Sequence, residues 1–339
     1  MQSVTIEKNQ AGQRLDKFLK KFLPEAGSSF LYKMLRKKNI TLNGKKAEGK
    51  EILNLGDTVC FFFSDETFAK FTGRTDTEST VMDDSYDKAY KTLKGISVLY
   101  EDENILVVNK PAGILTQKAS PTDISLNEWL IGYLLVTNVT NASELQTFRP
   151  SVCNRLDRNT SGVVLCGKSL EGSQLLSKLI KERRIGKFYH TICIGKLKDD
   201  LILEGYLTKD GSANKVTISQ KLPEKGGEKD TSYIQTGYHP INTYDNYTLL
   251  EVELITGKTH QIRAHLASIG HPIIGDSKYG KAKVNQKLQQ ETGLKAQLLH
   301  AYRVEFPMED EELPKSLQGK VITAPYPIQF EKIKSKLNL

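Results

Sequence analysis

The sequence has little cysteine, and what it has is scattered. Cys60, Cys153, Cys166 and Cys193 are the four cysteines in 339 residues. None forms a C-x-x-C pair and none stands at metal-ligand spacing from a histidine, so they read as small buried apolar side chains rather than a metal centre. No apolar run approaches the length needed to cross a bilayer. The opening residues, MQSVTIEKNQAGQ, hold no apolar signal core. These absences predict a soluble chain in a reducing, cytoplasmic setting, with no membrane partner. Repeats and low-complexity tracts are missing as well. So is charge balance: 48 Lys and Arg face 40 Asp and Glu, a formal net charge of +8. Such an excess suits a polyanionic partner, because each neutralised phosphate releases counterions. With 38% hydrophobic and 26% charged residues, the chain can bury a sizeable core and is not globally disordered. Its length fits two domains.

Three zones separate by pattern. In residues 12–63, GQRLDKFLKKFLPEAG places Leu15, Phe18, Leu19 and Phe22 at helical spacing. A second helix, SFLYKMLRKKNI, is expected to be capped by Ser28 or Ser29. Its apolar face is Phe30, Leu31, Met34 and Leu35; Lys33, Arg36, Lys37 and Lys38 take the other. Asn43-Gly44 marks a tight hairpin turn, followed by Lys45 and Lys46. Residues 64–94 are polar and rich in Thr and Asp, which predicts a flexible linker with room for a short helix. From 95 to 339, strand-like runs (ISVLYED, ILVVNK, GVVLCGK, KFYHTICIGKL, YTLLEVELIT) alternate with two helical segments, SLEGSQLLSKLIKERR and THQIRAHLASIG. Runs of strands broken by isolated helices predict an α+β fold rather than a doubly wound parallel sheet.

The most informative segment is SVCNRLDRNTSGVVLCGK, where Arg155, Asp157 and Arg158 precede an apolar strand. A carboxylate between two arginines is held ionised at neutral pH, and strand-end loops often carry function. Alone, R-x-D-R would read as a surface ion-pair cluster. Three other motifs fail on inspection. GKT at 257–259 would need Gly at Val252 to make a phosphate-binding loop. His260 and His265 are five apart rather than four, with no acidic or Cys partner beside them. Ser161 lacks the Gly at Asn159 that a hydrolase nucleophile elbow requires.

Residues 154–162, NRLDRNTSG, closely resemble the H-R-L-D-x-x-T-S-G signature of the RluA-type pseudouridine synthases, with Asn154 in place of the His. Asn keeps a hydrogen-bonding side chain but cannot titrate. Upstream, Asn109, Lys110, Pro111 and Gly113 resemble the family's N-K-P-x-G turn. Downstream, KFYHTICIG resembles the stretch holding its active-site tyrosine, here Tyr189. ELITGKTHQIRAHLASIGHPIIGDSKYG resembles its T-G-R-T-H-Q-I-R-x-H string, with Lys258 for the usual Arg. The N-terminal unit is similar to the family's small RNA-binding domain, shared with a ribosomal protein. The RluC-like subgroup looks nearest.

The resemblance implies a mixed, largely antiparallel catalytic sheet over 95–339 and a small α/β RNA-binding domain over 12–63. It implies isomerisation of uridine to pseudouridine, which needs no redox partner, group donor or metal, so no cofactor is expected. Asp157 would be the catalytic residue, Arg263 its ion-pair partner, and Tyr189 the ring that stacks on the extruded base or moves a proton. Arg155 would fill the gap left by the flipped base. Lys110, Lys258, His260, Gln261, Arg36, Lys37, Lys38 and Lys45 are the further candidate RNA contacts. The expected partner is 23S-type ribosomal RNA, and the expected state a monomer. Transfer RNA as substrate, and a non-catalytic RNA-binding or ribosome-assembly role, are the alternatives.

Overall fold

The computed structural model describes residues 1–72, 84–142, 144–210, 215–222 and 231–339. The chain opens with β1 (Gln2–Thr5), α1 (Leu15–Phe22), α2 (Ser28–Arg36), β2 (Ile40–Leu42), β3 (Lys45–Lys46) and β4 (Thr58–Phe61). The strands form an antiparallel sheet in the order β1-β4-β2-β3. Both helices bury their predicted stripe: Leu15, Phe18 and Leu19 from α1, and Leu31, Met34 and Leu35 from α2, meet Ile40, Val59 and Phe61 of the sheet. The β2–β3 turn is the expected Asn43-Gly44, both at positive φ (51° and 71°), as a two-residue hairpin of this kind demands. The serine cap on α2 is not found. Gly27 is the N-cap and no side chain caps the helix, because Ser28 and Ser29 are already inside its first turn.

The polar stretch after the small sheet is more ordered at its ends than its composition suggests. α3 (Asp65–Thr72) packs Phe68 and Phe71 onto the N-terminal unit, with the Phe71 ring 4.3 Å from that of Phe30. α4 (Asp84–Thr92) belongs to the other side: Ala89 is fully buried in the core of the large unit. Aromatic residues spaced along a polar background explain why the stretch reads as a linker. Its central residues, 73–83, lie outside the described residues. The small unit also starts earlier than position 12, since β1 supplies one edge of its sheet.

The remaining elements are β5 (Ser97–Glu101), β6 (Ile105–Lys110), α5 (Leu126–Val136), β7 (Ser151–Val152), β8 (Ser161–Gly167), α6 (Leu170–Lys181), β9 (Gly186–Ile194), β10 (Leu201–Asp210), β11 (Lys215–Ser219), β12 (Thr231–Tyr244), β13 (Tyr247–Glu253), α7 (Gln261–Ser268), α8 (Ala282–Thr292), β14 (Leu299–Glu305), β15 (Val321–Thr323) and α9 (Ile328–Lys336). The eleven strands make one sheet, ordered β11-β10-β12-β13-β9-β14-β8-β6-β5, with β15 on β14 and β7 on β8. Among the described strands, β14 with β8 is the one parallel pairing. The fold is therefore α+β with a mixed, mostly antiparallel sheet. Alternation along β6 and β8 splits their side chains between two layers. Leu106, Val108, Val164 and Cys166 face the core under α5 and α7. Ile105, Val107, Val163 and Leu165 face α6. With both faces covered, β8 is buried along its whole length, which is why its sequence is a continuous apolar run. No helix among the described residues is long and apolar enough to cross a membrane.

Candidate active site

Asp157 sits on the loop between β7 and β8, and local bonds fix that loop. Asn154 Oδ1 accepts from the Leu165 N–H (2.7 Å), extending the β7–β8 pairing by a side chain. Thr116 bonds to both backbone groups of Leu156: its hydroxyl donates to the carbonyl (2.8 Å) and accepts from the N–H (3.2 Å). Gly113 N–H donates to the Arg158 carbonyl (2.8 Å), and Arg158 Nε returns a bond to the Gly113 carbonyl (3.2 Å). The N-K-P-x-G turn is thus the clamp for the aspartate loop. After it, Ser161 and Gly162 enter β8. Gly162 holds φ +112°, and a Cβ there would run into the Ala301 carbonyl of β14, so only glycine fits. Ser161 pairs with His300 Nδ1 at 2.8 Å, but both are buried. His300 is pushed down to about 4 by burial and stays neutral. The pair is structural.

Lys110, expected to touch a phosphate, is fully buried. Its Nζ donates to the carbonyls of Pro111 (3.0 Å), Ile114 (2.9 Å) and Arg158 (3.2 Å). Burial lowers its pKa to about 7, against the opposing pull of Asp157. It is an internal tie rather than an RNA contact. Gln261 is also corrected. It is buried and bonds to Thr256, the Gln235 carbonyl, Thr236 and the Lys258 N–H, which pins the start of α7 to β12.

Arg263 projects from α7 toward the aspartate. Its Nη1 donates to Asp157 Oδ2 at 2.8 Å. The other edge of the guanidinium is held by Asp276, with Nε–Oδ2 at 2.7 Å and Nη2–Oδ1 at 3.0 Å. Burial opposes ionisation of Asp276, but the two Arg263 bonds and the N–H groups of Lys278 and Tyr279 outweigh it and hold the carboxyl below its usual range. The planar fork of arginine suits this double duty, since two carboxylates take different edges. His260 stands at the N-cap of α7 in a left-handed conformation, φ 54°. That turn starts the helix two residues later than Thr259 and aims the imidazole inward. Nε2 lies 3.9 Å from Asp157 Oδ2, and Nδ1 meets the Tyr279 hydroxyl at 3.1 Å. Burial lowers the imidazole's pKa while Asp157 pulls the other way. His265 points elsewhere, to Thr236.

Tyr189, on β9, is 6% exposed and lines the same cleft. Burial, and then the charge of Asp157, push its phenol well above the ordinary value. It keeps its proton at neutral pH, so its chemistry is that of a ring and a donor, not a base. Arg155 is exposed at the cleft and Lys258 stands beside it. Arg36, Lys37, Lys38 and Lys45 are exposed on the N-terminal unit. The cleft measures about 660 Å³. Its charged lining is Arg155, Arg158, Lys187, Lys258, Arg263 and Lys278 against Asp157. Asp157 is its sole carboxylate among the described residues.

Residues 104–268 match the model of the RNA pseudouridylate synthase family. Over 274 residues the chain is 32% identical to the ribosomal large subunit pseudouridine synthase C of Rickettsia felis, covering 80% of this chain and 83% of that protein. The chain belongs to the RNA pseudouridylate synthase family. An uncharacterized RNA pseudouridine synthase of Mycoplasma capricolum is 30% identical over 310 residues, 90% of this chain and 92% of its own. In three dimensions the synthase is similar to human RNA pseudouridylate synthase domain containing 4, with TM-score 0.59 at 20% identity over 75% of this chain and 97% of that one; this bears on the fold. Sequence reading of the synthase overlooked Asp276, Tyr279 and Lys187. The first two stand in the quoted string GDSKYG, whose acidic residue beside a glycine turn was the available signal.

Proposed function

We propose that this enzyme isomerises specific uridines of large-subunit, 23S-type ribosomal RNA to pseudouridine, as a monomer, with Asp157 as the catalytic carboxylate. The observation that carries the reading is a single carboxylate, held at 2.8 Å by Arg263, in a cleft whose other charged lining residues are all Arg or Lys. A cationic cleft attracts RNA through its phosphates. One anion inside it is costly for binding, and so points to chemistry. The large-subunit assignment is supported by the names of relatives such as the Rickettsia felis and Vibrio vulnificus large subunit pseudouridine synthases C.

The reaction breaks the bond from C1′ to N1, turns the uracil and joins C1′ to C5; N1 gains a proton and C5 loses one. Atoms balance without a cofactor. The uridine must leave its stack, at a cost of a few kcal/mol. Tyr189 would offset part of that by stacking, worth about 1–3 kcal/mol per base, and Arg155 would occupy the vacated space. Asp157 then acts on the ribosyl unit as nucleophile or base; both roles need an oriented carboxylate, which the Arg263–Asp276 brace supplies. The exposed Arg36, Lys37, Lys38 and Lys45 would add sequence-independent affinity.

Pseudouridine mapping by chemical derivatisation and primer extension tests this in wild-type cells and cells lacking the gene. The expected result is loss of one or a few large-subunit sites, restored by the wild-type gene and not by Asp157→Asn. Loss confined to transfer RNA would replace the substrate, and no loss would contradict the reading.

A further inference from the structure

Lys187 lies two residues before Tyr189 on β9, so strand alternation sends both side chains to the same side. Both line the cleft that holds Asp157. The intervening Phe188 faces away, beneath the Arg303 guanidinium at 4.0 Å. Lys187 Nζ reaches toward the backbone that leads from β13 to α7: a Cβ built on Gly257 would be 3.8 Å from it. The next residue there, Lys258, also lines the cleft.

Among the described residues, no acceptor hydrogen-bonds the Lys187 ammonium and no carboxylate pairs with it. Burial presses it toward neutrality and the like charge of Arg183 adds to that. Other buried lysines of this chain are treated differently. Lys110 has three carbonyls, and Lys168 has Glu101 at 2.6 Å and the Asp102 carbonyl at 2.8 Å. A partly buried ammonium left unpaired is costly unless an anion arrives. In a cleft that admits RNA, the anion at hand is the phosphodiester. A compact point charge with no planar fork suits a phosphate oxygen better than a base edge.

We propose that Lys187, flanked by Arg183 and Lys258, forms a seat for one backbone phosphate next to the target uridine and so sets the depth at which the nucleotide enters beside Tyr189. The proposal rests on the pseudouridine synthase reading. In it Lys187 binds and positions RNA and takes no part in bond making.

The test uses the full-length enzyme and a large-subunit ribosomal RNA transcript. Pseudouridine formation is followed in wild type, Lys187→Gln and Lys187→Arg across a salt series. Lys187→Gln should raise KM about tenfold, with a smaller effect on kcat. It should flatten the dependence of log affinity on log salt by about 0.7–0.9, the contribution of one phosphate. Lys187→Arg should restore the slope. Ethylation of one phosphate flanking the modified uridine should block the wild type and make no further difference to Lys187→Gln. The melting temperature separates the proposal from a structural role: removing an unpaired cation should not lower it. An unchanged salt slope, an unchanged interference pattern, or a lowered melting temperature that accounts for the lost activity would overturn the phosphate seat. If the wild type is active and Lys187→Gln matches it, only the seat falls. If the wild type forms no pseudouridine, the functional reading fails and the seat with it.

Discussion

Two residues outside the cleft lining, Lys110 and Asp276, hold the Asp157 carboxylate in place. Lys110 ties the loop through the Arg158 carbonyl, and Asp276 ties it through Arg263. Asp276→Asn keeps the shape but removes the charge that braces the guanidinium. It should cost about 3 kcal/mol of stability, the usual scale for breaking a buried ion pair. It should also lower kcat more than it raises KM, which denaturant melts and steady-state kinetics would check together. Lys110→Met should lower stability by about 2 kcal/mol by leaving buried carbonyls unpaired. It carries a pH signature as well. The lysine's pKa falls from 10.5 unfolded to about 7 folded, so between these values the unfolded chain binds more protons. Its burial cost is then full below pH 7 and is relieved as pH rises toward 10.5. The stability of wild type relative to Lys110→Met should therefore rise across that window; a flat difference would contradict the assignment.

At the scale of elements, Gly162 shows how β8 and β14 meet. Gly162→Ala should lose more than about 2 kcal/mol, since positive φ and the Ala301 carbonyl both exclude a side chain, and thermal unfolding would show it. Much of this architecture was legible in sequence where a pattern is unambiguous. β6, β8, β9 and β13 follow β-branched apolar runs, and α6 begins at Ser169, whose side chain caps the Gly172 N–H. α5 escaped because it is apolar on nearly every side, so it has no stripe to read, although Ser125 and Glu128 make a capping box. β10, β11 and β12 escaped because they are polar and partly exposed. Asp157, Tyr189 and Arg263 were found because a resemblance pointed to them, and the structure brings all three to one cleft. Lys110 and Gln261 were misread because sequence does not reveal which way a polar side chain turns.

In the whole molecule, the small sheet docks on the catalytic unit through its first loop. Gln10 Nε2 donates to Thr147 Oγ1 at 2.9 Å in a buried contact, and Lys8 pairs with Glu103. Cutting at residue 63 would strip α3 of its aromatic partners, so the informative truncation removes residues 1–72. Every residue named in the cleft lies beyond that point. The truncated enzyme should bind ribosomal RNA more weakly with a flatter salt dependence, read by filter binding over a salt series; an unchanged slope would remove the small unit from RNA binding. The central claim concerns Asp157, and single-turnover pseudouridine formation by purified Asp157→Asn on a large-subunit ribosomal RNA transcript tests it most directly. The account predicts no detectable product with RNA affinity within a few-fold of wild type. Turnover at the wild-type rate would contradict it.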